Sequence, residues 1–227
     1  VVVVDNASTD GTVATVQRLL PHAEVVNNPS NKGFGAANNL ALQRTTTPFA
    51  LLLNPDCRLS PDGLRDLLAH AVAHPDTAIL APQLVDPQGH PEVNYRWPST
   101  LWTSRGPGAD GPCCVGFACG ACLLLRMDTL RGVGFFDESF FLYYEDDDLC
   151  SRVFAQHLPL VVLPDVRAMH ASRGSVGGRQ RWRAEYWRGY HHAQSKLRYT
   201  HKHVGLAQAR SLRRRVLCLA CLALPLR

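Results

Sequence analysis

No apolar run in this sequence is long enough to span a bilayer, no segment repeats itself, and acidic side chains are scarce. The first absence leaves no run within the given residues that completes a membrane-spanning helix, which needs about 20 apolar residues. The second leaves a non-repetitive globular chain. The third gives a net charge of +5, from 24 Lys and Arg against 19 Asp and Glu. With 227 residues, 46% hydrophobic and 19% charged, the chain is neither disordered nor fibrous, and it is long enough to bury a core as one domain or one domain with an appendage. The positive excess lies mostly after Arg167, so it describes a tail. Such a tail suits phosphate-bearing ligands or an anionic membrane face as readily as nucleic acid, and nothing else in the sequence favours a nucleic-acid partner.

Val1 to Val4 already reads as a buried strand, so we expect the chain to begin inside a domain whose opening strand is missing, with no signal peptide before it. Among the eight cysteines, Cys119-x-x-Cys122 has a spacing that could hold zinc, but it leads into the apolar run Cys122 to Leu125. Packed, reduced thiols in a reducing cytoplasm are the expectation.

Short apolar runs at Val1 to Val4, Glu24 to Val26, Phe49 to Leu53 and Ile79 to Ala81 alternate with helix-like segments at Thr12 to Leu20 and Ala36 to Arg44. That rhythm predicts an α/β fold with a mostly parallel central sheet flanked by helices. Ser60-Pro61-Asp62 supplies an N-cap, a first-turn proline and an early acid for a helix to about His74. Residues 86–112, rich in Pro and Gly, read as an extended loop or lid. A strand at Ala121 to Arg126, a short helix near Met127 to Arg131, a helix near Asp148 to Gln156 and a strand at Leu160 to Leu163 follow. Ser172 to Gly178 reads as a flexible loop that divides residues 1–178 from a basic helical tail, 179–227. In that tail Trp182, Tyr186, Tyr190, Ala193 and Leu197 recur at helical spacing. The simpler expectation is that this stripe docks on the core; the alternative is an interfacial helix, since cations surround it. The final apolar run after Arg213 reads as an amphipathic anchor or the start of a truncated membrane segment.

Six acids fall between Asp137 and Asp148, and four of them are consecutive, Glu145 to Asp148. Adjacent carboxylates repel one another, so such a run is a solvated turn or a site where a cation or mobile proton offsets the repulsion. The preceding Phe140, Phe141, Tyr143 and Tyr144 argue against a purely solvated turn. Two further acidic motifs follow buried strands, Asp5-Asn6-Ala-Ser8-Thr-Asp10-Gly11 and Asn54-Pro55-Asp56, where open α/β sheets bind ligands. Asp10 reads equally as a helix cap; Asp5 does not. Asn31-Lys32-Gly33-Phe34-Gly35, running on to Asn38-Asn39, could bring backbone amides near phosphate, although it matches neither the phosphate loop nor the dinucleotide fingerprint.

Taken together, Val1 to Thr12, Asn54-Pro-Asp56, Gly120-Ala-Cys-Leu-Leu-Leu-Arg126, Gly134-Phe-Phe-Asp-Glu-Ser-Phe-Phe141 and Tyr144-Glu-Asp-Asp-Asp-Leu149 with Arg152 resemble, in order and spacing, the family 2 glycosyltransferases, most closely their rhamnosyltransferase-like branch. The resemblance covers roughly Val1 to Gly205. It implies a GT-A fold, a nucleotide-diphosphate sugar donor, Mg2+ or Mn2+, and transfer with inversion. It implies that Asp5 meets the nucleotide base, with Asn6, Lys32 and Asn39 in the donor-binding set, and that Asn54-Pro55-Asp56 stands where the family has Asp-x-Asp. Asp56 and His170 then hold the metal, Asn54 lies near the ribose or a metal-bound water, Asp146 is the catalytic base and Glu145 its companion. A structural role for His170 is the competing reading. Asp148 is expected to pair with Arg152 one turn later, and Asp137-Glu138 to shape the acceptor-side loop. Asn54 departs from the general carboxylate, and the family's first strand, which supplies a further nucleotide contact, is expected to be missing. The function implied is cytoplasmic transfer of a sugar, rhamnose from a dTDP donor being the one the branch suggests, to a glycan or lipid-linked acceptor, with the tail on the membrane face. The alternative from a different class is an inactive sugar-nucleotide-binding or scaffold module.

Overall fold

The computed structural model describes residues 1–96, 108–171 and 181–223. Residues 97–107 of the expected 86–112 lid, and the loop expected at 172–178, lie outside the described residues. Strands β1 (Val2–Asp5) and β2 (Glu24–Asn27) pair in parallel around helix α1 (Thr12–Leu19), and α2 (Phe34–Leu42) leads to β3 (Phe49–Leu53). A short β4 (Cys57–Leu59) precedes α3 (Pro61–Ala73), then β5 (Ile79–Val85). The middle of the chain holds β6 (Tyr95–Arg96), β7 (Cys113–Cys114), β8 (Phe117–Ala118) and β9 (Cys122–Arg126). It continues through α4 (Met127–Val133), α5 (Glu145–Ala155), β10 (Leu160–His170), α6 (Arg181–His203) and α7 (Leu206–Ala223).

The central sheet runs β3-β9-β5-β10-β4, with β7 on β10. Here the expectation of a mostly parallel sheet is corrected. β5 and β10 pair in parallel, but β9 runs against both β3 and β5, and β4 and β7 run against β10. β3, β5 and β10 do share one direction; the reversed β9 lies between two of them. Its apolar run Cys122-Leu-Leu-Leu carries no mark of direction, because a strand buried on both faces reads the same either way.

Alternation along β9 supplies both halves of the core. Leu123 and Leu125 pack with Leu130, Leu149 and Val153 of α4 and α5, whereas Leu124 packs with Leu67 and Ala71 of α3 on the other face. At the start of α3 the Ser60 hydroxyl accepts from the Gly63 amide at 3.0 Å, as the local sequence predicts. β10 continues well past the expected Leu163, because the register shift between Leu163 and Arg167 absorbs Pro164 without ending the strand.

The tail corrects a second expectation. The face of α6 that meets the body carries Ser195 and Tyr199, both buried, together with His191, which stacks on Phe141 at 4.5 Å. Trp182, Tyr186 and Tyr190 stand on the opposite side, exposed. Helical spacing identified one stripe correctly but not the side it faces, because serine, tyrosine and histidine make the actual contact through hydrogen bonds and ring stacking.

Candidate functional site

At the end of β1, Asp5 is buried: one carboxylate oxygen accepts the Ser8 amide at 3.1 Å, and the other, Oδ1, has no hydrogen-bond partner among the described residues. A buried carboxylate oxygen left open at a strand's carboxyl end is a place for a ligand donor. Asn6 is fully engaged within the protein. Its amide donates to Asn31 Oδ1 and the Gly33 carbonyl, and its oxygen accepts from Asn28 and from the Lys32 amide. Asn6 therefore shapes the loop that carries the exposed Lys32.

That loop is not an open cradle of amides. Gly33 has φ 88°, and an added Cβ would lie 2.2 Å from the Phe141 carbonyl oxygen, which accepts the Phe34 amide at 3.0 Å. The glycines let α2 approach the acidic segment; Gly35 likewise leaves room for Phe136. Asn39 is buried in the same contact, donating to the Phe136 carbonyl and Glu138 and accepting the Phe136 amide. Its polar atoms thus join α2 to the segment from Phe136 to Glu138.

On the other side, the turn Asn54-Pro55-Asp56 closes through the Cys57 amide on the Asn54 carbonyl. β4 pairs with the end of β10, and this brings Asp56 Oδ1 within 3.4 Å of His170 Nε2, both partly buried. Among the described residues no group of three or more His, Cys, Asp or Glu converges. Asp56 and His170 thus offer two donors of a kind that could help to hold a divalent cation.

The acidic run is the first turn of α5, where the positive end of the helix dipole favours negative charge. Tyr143 and Tyr144 both have φ of 68°, a left-handed conformation rare for such side chains, so the chain turns sharply into the helix. Asp146 is half-buried, and its two oxygens accept the amides of Gly120 at 3.1 Å and Asp147 at 2.9 Å. Burial nevertheless raises its proton affinity above the ordinary carboxylate range. Glu145, buried with Oε2 unpartnered, is pushed up to about 8 by burial and by the Asp146 charge. Asp147 rises to about 7 for the same two reasons, offset in part by its ion pair with Arg96.

Asp148 is fully buried and belongs to a different device. It accepts from Arg152 Nε at 2.8 Å, as expected, and also meets Lys202 and His203 of α6, each at 2.7 Å. The same Arg152 donates to the carbonyls of Val133, Gly134 and Phe135. Lys202 also pairs with Asp137, which burial alone would raise but which Lys202 and Ser139 hold down to about 2.

Two consecutive residues at the entry to β9 bring the halves together. The Gly120 amide holds Asp146, and the Ala121 carbonyl accepts the Asn54 amide at 2.9 Å. Sequence reasoning missed Arg96, Lys202 and His203, which lie 51, 65 and 55 residues from their acidic partners. No local spacing signals such pairs. Gly120, though, was visible inside a motif.

Residues 1–134 match the family described as Glycosyl transferase family 2. Over 210 aligned residues the chain is 28% identical to N-acetylglucosaminyl-diphospho-decaprenol L-rhamnosyltransferase of Mycobacterium tuberculosis, covering 78% of this chain and 68% of that protein. It is 27% identical to the low-salt glycan biosynthesis hexosyltransferase Agl10 of Haloferax volcanii, covering 74% of this chain and 58% of the other. In fold it is similar to S. aureus TarS 1-349, with a TM-score of 0.58 at 22% identity over 75% of this chain and 50% of that one. A mannosyltransferase, PcManGT from Pyrobaculum calidifontis, solved with GDP-Man and Mn2+, gives a TM-score of 0.57 at 19% identity over 98% of this chain and 70% of the other. The fold is GT-A, and the chain belongs to glycosyltransferase family 2.

Proposed function

We propose that this chain transfers a hexosyl unit from a nucleotide-diphosphate sugar to a hydroxyl of a glycan or lipid-linked acceptor, with inversion, and that Asp146 is the base. The observation that supports this best is the Gly120-Ala121 dipeptide, which ties the carboxylate of Asp146 and the Asn54-Pro55-Asp56 turn to one point of the fold. Asp5 would receive a donor group of the nucleoside on its open Oδ1, with Lys32 beside the same loop. Asn54 would lie along the ribose. Asp56 and His170 would hold Mg2+ or Mn2+, which stabilises the charge that develops on a departing diphosphate.

The remaining chemistry belongs to the chain. Asp146 is fixed by two amide donors, so its carboxylate cannot swing away, and its raised proton affinity suits it to take a proton from the attacking hydroxyl. That proton goes to one Asp146 oxygen while the hydroxyl oxygen bonds the anomeric carbon and the diphosphate leaves. Glu145, largely protonated near neutral pH, spares the site a second buried charge. Asn6 and Asn39 act as supports, since their polar atoms are spent on the protein. The similarity to the decaprenol-linked rhamnosyltransferase favours a rhamnosyl donor and a lipid-linked acceptor. The test incubates the protein with Mn2+ and a panel of UDP-, dTDP- and GDP-sugars and an acceptor hydroxyl. Turnover lost in Asp146→Asn with donor binding retained is the expected result; binding without turnover, unaltered by that substitution, would sink the reading in favour of a binding module.

A further inference from the structure

The outer face of α6 carries large rings open to water: Trp182 is 71% exposed, Tyr186 63% and Tyr190 47%. They recur every four residues and so form one stripe along the helix. Trp187, 51% exposed, stands edge-on to Tyr186 at 5.5 Å and to Tyr190 at 5.6 Å, so the rings hold one another in place. On α7, Val216 and Leu217 are exposed as well. Clustered exposed rings of this kind mark a place of contact.

Its electrostatic setting differs from the rest of the chain. Residues 1–180 contain 13 Lys and Arg against 18 Asp and Glu, whereas residues 181–227 contain 11 against 1. The single acid, Glu185, is paired with Arg188. Arg198, Arg210 and the run Arg213 to Arg215 are exposed.

We propose that the outer face of α6 and α7 docks on an anionic lipid bilayer surface. Tryptophan and tyrosine rings place an apolar body and a polar edge at headgroup depth, and flanking arginines meet lipid phosphates; both are present here. Charge selects this occupant: helices that expose Arg198, Arg210 and Arg213 to Arg215, in a segment whose one acid is already paired, are complementary to an anionic leaflet and repel a second copy of themselves. No described helix is long and apolar enough to cross a membrane. The inner face of α6 holds the acceptor side of the site: Ser195 donates to the Leu142 carbonyl at 2.9 Å, and His192 packs against Tyr143 and Tyr144. A bilayer on the outer face therefore lies about one helix diameter, roughly 10 Å, from that segment.

The test uses the full chain with phosphatidylcholine vesicles, with and without about one third phosphatidylglycerol. Co-sedimentation only with the anionic vesicles, a blue shift of tryptophan emission on binding and release on raising salt to about 1 M are expected. The double substitutions Trp182→Ala/Tyr186→Ala and Arg213→Glu/Arg214→Glu should each weaken binding roughly tenfold or more, with the parent's unfolding temperature, since all four side chains are exposed. Equal binding to neutral vesicles, undiminished binding by either variant, or preferential binding to a generic oligonucleotide would overturn the proposal. If a variant lowers the unfolding temperature, the parent's emission decides, and no shift on anionic vesicles is a refutation. Donor turnover on the same samples separates this inference from the transferase reading, because vesicle binding without turnover leaves the dock standing and turnover without binding removes it.

Discussion

At the scale of single residues, four adjacent carboxylates resolve into three roles because each meets a different environment. Asp148 is neutralised by Arg152, Lys202 and His203, Asp147 leans on Arg96, and only Glu145 and Asp146 keep unusual proton affinity with no cation paired to them in the described structure. Asp146→Asn keeps the size of the side chain and removes the base, so kcat should fall about a hundred- to ten-thousand-fold with donor affinity within about threefold of the parent. Single-turnover kinetics beside equilibrium donor binding distinguish this from loss of the site. Arg152→Ala should act on stability instead. It takes one of three partners from a fully buried Asp148, leaving Lys202 and His203, and frees three carbonyls, at a cost of about 2–4 kcal/mol, read from the urea midpoint. A midpoint within experimental error of the parent would contradict this account of Asp148.

At the scale of elements, close approach decides which glycines are irreplaceable. Gly33 combines a left-handed φ with a backbone carbonyl where its Cβ would be, so Gly33→Ala should cost about 2–4 kcal/mol and weaken the join between α2 and the Phe141 segment. Gly111, with nothing within 4 Å of an added Cβ, is the control, and an equal loss at both positions would refute the explanation. These elements also mark how far the sequence could be read. Helix α3 was legible because its cap, proline and first-turn acid are all local. β3 and the strand at Leu160 were legible because short apolar runs bounded by turns are local too. The direction of β9, the extension of β10 past Pro164 and the inward face of α6 were not, since each is settled by partners far along the chain. The candidate site divides in the same way. Asp5, Asp56, Asp146 and His170 were named from motifs, while Arg96, Lys202 and His203, which complete the charge balance, arrive by tertiary contact alone. For Asn6 and Asn39 the motif pointed to the right neighbourhood, where their side chains hold loops together.

At the scale of the whole molecule, the site makes stability and activity respond to pH in opposite senses. Glu145 at about 8 and Asp147 at about 7 hold protons in the folded chain that the unfolded chain, with carboxylates near about 4, has released. In that interval the native state binds more protons than the unfolded state, so stability falls as pH rises. Their contribution is complete below about pH 4 and is lost progressively up to about pH 8. Asp137, held down to about 2, works the other way and matters only in strong acid. The unfolding temperature should therefore be higher at pH 5 than at pH 8.5, and Glu145→Gln, which stays neutral throughout, should flatten the decline and gain about 2–4 °C or more at the alkaline end. Parallel declines in the two proteins would show that Glu145 is charged in the folded state. Turnover requires Asp146 without its proton, and its affinity is raised above the ordinary carboxylate range, so kcat/KM should climb with rising pH while the fold loosens. A carboxylate kept poised for proton transfer by burial is one the fold holds at a cost, and the two pH profiles, measured on one preparation, should cross for that reason.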